Sequence, residues 1–170
     1  MTAFIALLRA VNVGGNNKLP MSELKALCEA AGFAKVRTYI ASGNVAFESK
    51  ASEAKVKAAL EAKIAVHTGA KIGVIVRTVA EMAAVVERNP FADKSPSKTV
   101  AIFFDAAPAR GALEAATGRK DEEIQLGARE IYAHYPSGQG RSKFKIPAAR
   151  DGTARNMNTL AALTKLASSL

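Results

Sequence analysis

Apolar positions in the first half of the chain change period several times, and each change marks an element. Residues 3–8 are apolar without polar alternation, the pattern of a strand buried on both faces. After a Gly-Gly loop, Pro20 suits a first helical turn, and Met21, Leu24, Leu27, Cys28 and Ala31 recur at helical spacing until Gly32. Residues 36–41 and 45–47 read as two short strands around Ser42-Gly43-Asn44, a hairpin signal. Ser52 is placed to cap a helix with Val56, Ala59, Leu60 and Ile64 on one face, ending near Gly69. Residues 71–77 read as another strand. Strand, helix, strand, strand, helix, strand is the order of the split βαβ, or ferredoxin-like, unit.

Thr78-x-x-Glu81 predicts a capping box for a helix carrying Met82, Val85 and Val86, closed by Asn89-Pro90. The polar stretch 93–98 separates the halves, after which the order restarts. Residues 100–104 form a second strand without polar alternation, a helix is predicted over 108–116, and strands 123–126 and 130–134 flank Gly127-Ala128. No final strand is visible. A glycine-bearing stretch 136–140, a basic segment 141–145 and a helix with Leu160, Leu163 and Leu166 follow instead. The pattern therefore predicts an α+β protein of duplicated ferredoxin-like (split βαβ) units packed as one compact globule, the second unit incomplete. Its expected divisions are 1–77 for the first half, 78–97 for a linking helix and loop, and 98–170 for the second half.

Composition narrows the function classes. The chain has 170 residues, 49% hydrophobic and 23% charged, which is ordinary for a soluble globular protein with a sizeable core. The net charge of +9 lies at the ends, +3 in residues 1–50 and +5 in residues 141–170 against +1 between them. Such a field attracts nucleic acid, nucleotides or anionic surfaces, and it equally serves solubility. Cys28 is the single cysteine, which excludes an intramolecular disulfide and a cysteine metal cage; its helical apolar neighbours make it a buried thiol. The N-terminus lacks the pattern of a secretory signal, and no apolar run approaches the roughly 20 residues that span a bilayer, so a cytoplasmic protein without a membrane partner is expected.

The stretch with the most chemistry runs from Arg9 to Lys18, Arg-Ala-Val-Asn-Val-Gly-Gly-Asn-Asn-Lys, between the first strand and the first helix. Glycine and asparagine tolerate positive φ and leave amides free, and Arg9 and Lys18 add cations on either side, which is the chemistry of an anion site. The spacing matches neither the P-loop nor the dinucleotide fingerprint. In a split βαβ unit the end of the first strand and the hairpin after the second share one sheet edge, so Asn12–Asn16 and Ser42-Gly43-Asn44 are expected to be neighbours. Gly138-Gln139-Gly140-Arg141-Ser142-Lys143 could bind phosphate or serve as a mobile basic loop. Arg155, Asn156 and Asn158 open the last helix, where free N–H groups favour an anion and asparagine also favours a cap. His67 and His134 have no cysteine or second histidine nearby in sequence, so no metal site is expected. Asp121-Glu122-Glu123 reads as a solvated turn, and no Gly-x-Ser-x-Gly elbow or Ser–His–Asp spacing is present.

Four segments together resemble a known family: Arg9-Ala-Val-Asn12-Val-Gly14-Gly15, Ser42-Gly43-Asn44, Asn89-Pro90-Phe91 and Thr153-Ala-Arg155-Asn156-Met157-Asn158-Thr159. They resemble the signature segments of the domain of unknown function 1697 family, small and mostly bacterial proteins, and the likeness covers essentially the whole chain. It implies duplicated ferredoxin-like units and brings no activity, cofactor or catalytic residue. This chain has Met157 where the family pattern usually has Trp. The expected function is binding of a small phosphorylated or nucleotide-like anion at the Gly-Gly-Asn loop. Its expected ligand-binding residues are Arg9, Asn12, Gly14, Gly15, Asn16, Ser42, Asn44, Arg155 and Asn156, with the cofactor and oligomeric state unknown. Nucleic-acid binding through the basic C-terminal segment is the alternative, although the aromatic segment of RNA recognition motifs is absent. An enzyme of unidentified reaction is a third reading, against which stands the lack of a carboxylate, histidine or cysteine in the loop motifs.

Overall fold

A computed structural model describes residues 1–12 and 18–170. Their contacts divide into two units: Met1–Ala83 with Ala162–Leu170, and Ala84–Ala161. This division follows packing.

In the first unit β1 (Thr2–Leu8) lies between β3 (Asn44–Ser49) and β4 (Val74–Thr78), antiparallel to both, and β2 (Ala34–Thr38) lies beyond β3. The order is β2-β3-β1-β4. Central placement explains the unbroken apolar run, since Ile5, Ala6, Leu7 and Leu8 have no exposed surface. Two helices, α1 (Met21–Ala30) and α2 (Glu53–Thr68), bring Leu24, Cys28, Val56, Leu60 and Ile64 into one core with Phe4, Ala6, Leu8, Phe47 and Val76. Burial pushes the Cys28 thiol up to about 12, helped by the neighbouring Glu29 carboxylate, so it stays protonated and inert.

The predicted punctuation is present atom by atom. Gly32, at φ +89°, ends α1 in a Schellman motif: its N–H donates to Glu29 O at 3.0 Å and that of Phe33 to Cys28 O at 3.1 Å. Ser52 Oγ accepts from Lys55 N–H at 3.3 Å, and Gly69 ends α2 in the left-handed region. On the free side of edge strand β4, an α2 ion pair satisfies Val74. Lys57 Nζ donates to its carbonyl at 2.6 Å, and its N–H donates to Glu61 Oε2 at 3.1 Å. Thr78 and Glu81 form the reciprocal capping box of α3 (Val79–Glu87), with bonds of 3.0 and 3.1 Å.

The second unit repeats the strand order with fewer helices. Here β5 (Thr99–Phe103) lies between β7 (Glu130–His134) and β8 (Thr153–Asn156), and β6 (Glu123–Leu126) lies beyond β7. The order is β6-β7-β5-β8. β8 is a strand where the sequence shows no final strand, a correction to the expected incomplete strand set. Thr-Ala-Arg-Asn has neither alternation nor an apolar run, and it becomes a strand through its pairing with residues 100–103. The helix predicted over 108–116 is also corrected, to a single 3₁₀ turn at Arg110–Ala112. Gly111 inside it weakens the helix, only Ala112 is fully buried, and Thr117 is already bridged to Lys145. The unit is thus complete in strands and short of helices, with Phe144 and Ile146 packed with Ile102 and Ile131. The last helix, α4, spans Met157–Ser168. Among the described residues no helix is long and apolar enough to cross a membrane.

Because Leu7 has no exposed surface in a central strand, Leu7→Ala is expected to cost about 2–5 kcal/mol in chemical denaturation. A loss under about 1 kcal/mol would contradict its core position.

Candidate functional site

At the sheet edge where the two loops are expected to meet, the chain up to Asn12 is joined to the hairpin turn through backbone bonds and one carboxamide. Leu8 N–H, at the end of β1, donates to Gly43 O at 2.8 Å, and Arg9 N–H donates to Gly73 O at 3.0 Å. Both flanks of the edge are thereby tied to the chain that enters the loop. Asn12 then makes three bonds. Its Nδ2 donates to Leu19 O at 2.8 Å and to Ala41 O at 2.7 Å, and its Oδ1 accepts from Leu19 N–H at 2.7 Å. One side chain thus joins the two ends of the loop and fastens them to the hairpin turn between β2 and β3.

That turn is braced from within by Asn44, which is completely buried. Its Nδ2 donates to Tyr39 O and to Ser42 Oγ, both at 2.9 Å, while Tyr39 N–H donates to Asn44 O at 2.9 Å. Gly43, at φ +88°, is required twice over. A Cβ there would come within 2.5 Å of Val11 Cγ2 and 2.9 Å of Leu8 Cβ. Three non-glycine residues with positive φ collect at this edge: Ala10 at 53°, Asn12 at 55° and Ile40 at 50°. For β-branched Ile40, half exposed, this is an uncommon conformation held by the bonds around it.

Arg9 is exposed, and among the described residues its guanidinium pairs with no carboxylate. Of the other expected site residues, Asn12, Ser42 and Asn44 are brought together as above, and Gly14, Gly15 and Asn16 lie outside the described residues. Arg155 and Asn156 belong to the second unit. Arg155 lies on β8 beside Ala101 and donates to Ala154 O at 2.9 Å; burial lowers its guanidinium to about 10, still a cation at neutral pH. Asn156 Oδ1 accepts from Thr159 N–H at 2.9 Å, so its carboxamide caps α4.

Of the Gly138–Lys143 stretch, Arg141, Ser142 and Lys143 line a cleft of about 540 Å³ in the second unit, with Ser137 and opposite Gly118, Lys120, Asp121 and Glu122. Glu122, read from sequence as part of a solvated turn, is instead nearly buried. Its carboxylate accepts from Lys120 N–H and from Ser142 Oγ, each at 2.7 Å. These bonds hold its carboxyl below the ordinary range, the Lys120 amide first and the Ser142 hydroxyl second. Glu122 and Ser142 lie 20 positions apart, and the sequence carries no signal of their pairing. The same holds for Leu19 and Ala41, which bind Asn12 through backbone atoms that any residue type carries.

A family model described as Protein of unknown function (DUF1697) matches residues 1–132. The chain belongs to this family. The conserved bacterial protein SP0830 from Streptococcus pneumoniae has a similar solved structure, with a TM-score of 0.82 and 28% identity over 98% of each chain. No curated protein matches the chain. The four segments that resemble the DUF1697 signatures share one physical device. Asn12, Asn44, Asn89 and Asn156 all use their carboxamides on backbone groups, Asn89 Oδ1 accepting from Phe91 N–H at 3.0 Å.

Gly43 and Gly69 both have positive φ, but nothing lies within 4 Å of a Cβ at Gly69. Gly69→Ala should carry only the left-handed penalty of about 1–2 kcal/mol, and Gly43→Ala at least about 1 kcal/mol more from its clash. Equal losses in parallel denaturation curves would show that the edge is loosely packed.

Proposed function

We propose that the β1 edge of the first unit binds a small anionic ligand, phosphorylated or nucleotide-like. The observation that carries this reading is the Asn12 clasp, which fastens a cation-flanked glycine loop to the Ser42–Asn44 turn. In this reading Asn12, Ser42 and Asn44 form the frame. Arg9 supplies the charge, and Gly14, Gly15 and Asn16 supply backbone amides, as their residue types suit. The reading rests on the first unit alone and takes no contact from Arg155 or Asn156. Clustered positive φ at Ala10, Asn12 and Ile40 supports it, because such conformations gather where loops are shaped for ligands. We further read the two sheets as duplicated ferredoxin-like units, supported by the strand order that both follow.

Adenosine monophosphate and a duplex DNA, titrated at several salt concentrations, separate this reading from nucleic-acid binding. For a duplex, log affinity falls by about 0.9 per neutralised phosphate for each tenfold rise in salt. The expected result is saturable nucleotide binding with a shallow salt dependence, largely lost in Arg9→Ala and little changed in Lys143→Ala. A steep slope shared by Lys143, Lys145 and Arg150 would assign the function to nucleic acid. Absence of binding to either probe would overturn both readings.

A further inference from the structure

The cleft of the second unit has fixed walls and unpaired charges. One wall is Gly118 to Glu122 and the other is Ser137 to Lys143. Ser137 Oγ donates to Asp121 Oδ2 and Ser142 Oγ to Glu122 Oε2, each at 2.7 Å, which ties the walls together twice. Behind them Thr117 and Lys145 exchange backbone bonds of 2.9 and 2.8 Å. Gly118, at φ +72°, lies so close to this strap that a Cβ would stand 2.3 Å from Lys143 O.

Lys120, Arg141 and Lys143 line this cleft and are exposed. Two carboxylates share the cleft, yet among the described residues none of the three cations pairs with either. Both Glu122 oxygens are held by the Lys120 amide and the Ser142 hydroxyl, and Asp121 accepts from Ser137. The carboxylates thus serve as struts between the walls, and the cations remain available to a ligand.

We infer that this cleft is a second anion site, for a small molecule carrying adjacent phosphate groups. Three cations from two walls outnumber the two carboxylates tied into those walls, and about 540 Å³ admits a ligand larger than one phosphate. Arg141 supplies the planar fork suited to phosphate oxygens, with Lys120 and Lys143 as point charges. A nucleic-acid backbone fits less well, because Lys145 and Arg150, the next cations of this basic segment, do not line the cleft. The inference is independent of the first-unit site.

The test is titration of the full chain with inorganic pyrophosphate, followed by amide NMR shifts. Saturable shifts should gather at Gly118–Glu122 and Ser137–Lys143, whereas shifts around Arg9 would report the other site. Arg141→Ala and Lys143→Ala should each weaken binding about tenfold, the loss expected of one charge-assisted hydrogen bond. Arg141→Lys should fall between, and Lys145→Ala and Arg9→Ala should leave these shifts unchanged. All of these residues are exposed, so the variants keep the fold. No saturable shift in the cleft, or an equal loss from Lys145→Ala, would overturn the inference. So would tighter binding of duplex DNA than of pyrophosphate at the same residues.

Discussion

The site described for the first unit depends on one carboxamide. Asn12 satisfies both the N–H and the C=O of Leu19 and still reaches Ala41 in the neighbouring turn. A loop closed only at its ends remains free to pivot. Here the two ends, Asn12 and Leu19, are bonded to each other, and Asn12 is also bonded to the turn at the sheet edge. Its partner, Asn44, performs the matching task inside the turn, buried without exposed surface and bonded to Tyr39 O and Ser42 Oγ. Buried amides of this kind are costly unless satisfied, so once satisfied they select one arrangement.

At the two candidate sites the exposed cations are kept apart from the bonds that shape the walls. Asn12, Asn44, Asn89 and Asn156 bind backbone, and Glu122 binds an amide and a hydroxyl, while Arg9, Lys120, Arg141 and Lys143 stay exposed. The bonds of Glu122 to neutral donors take the place of an ion pair with the cations beside it. That arrangement places exposed cations of a chain with +9 net charge at defined positions.

How much of this was legible in the sequence follows from the range of each interaction. Local devices were read correctly: the unbroken run of β1, the capping box of Thr78 and Glu81, and the glycine stop after α1 each depend on neighbours a few residues away. The place of Asn12 beside the hairpin turn was also legible, because topology puts the end of β1 and that turn at one edge. What could not be read depends on distant partners. β8 is a strand because β5 pairs with it, and the turn at Arg110–Ala112 fails to propagate because it lacks an apolar stripe and contains Gly111. Asn12 gave the residue type of a loop ligand, but its bond to Ala41, 29 residues away, makes it a clasp.

The clasp is tested most directly by a double-mutant cycle in stability between Asn12→Ala and Asn44→Ala. Asn44 fixes Tyr39 and Ser42, and Asn12 binds Ala41 between them, so both act on one turn. The account predicts non-additive losses with a coupling of about 1 kcal/mol. Losses that add within about 0.3 kcal/mol would show that loop and turn are held independently, and the common edge would lose its physical basis.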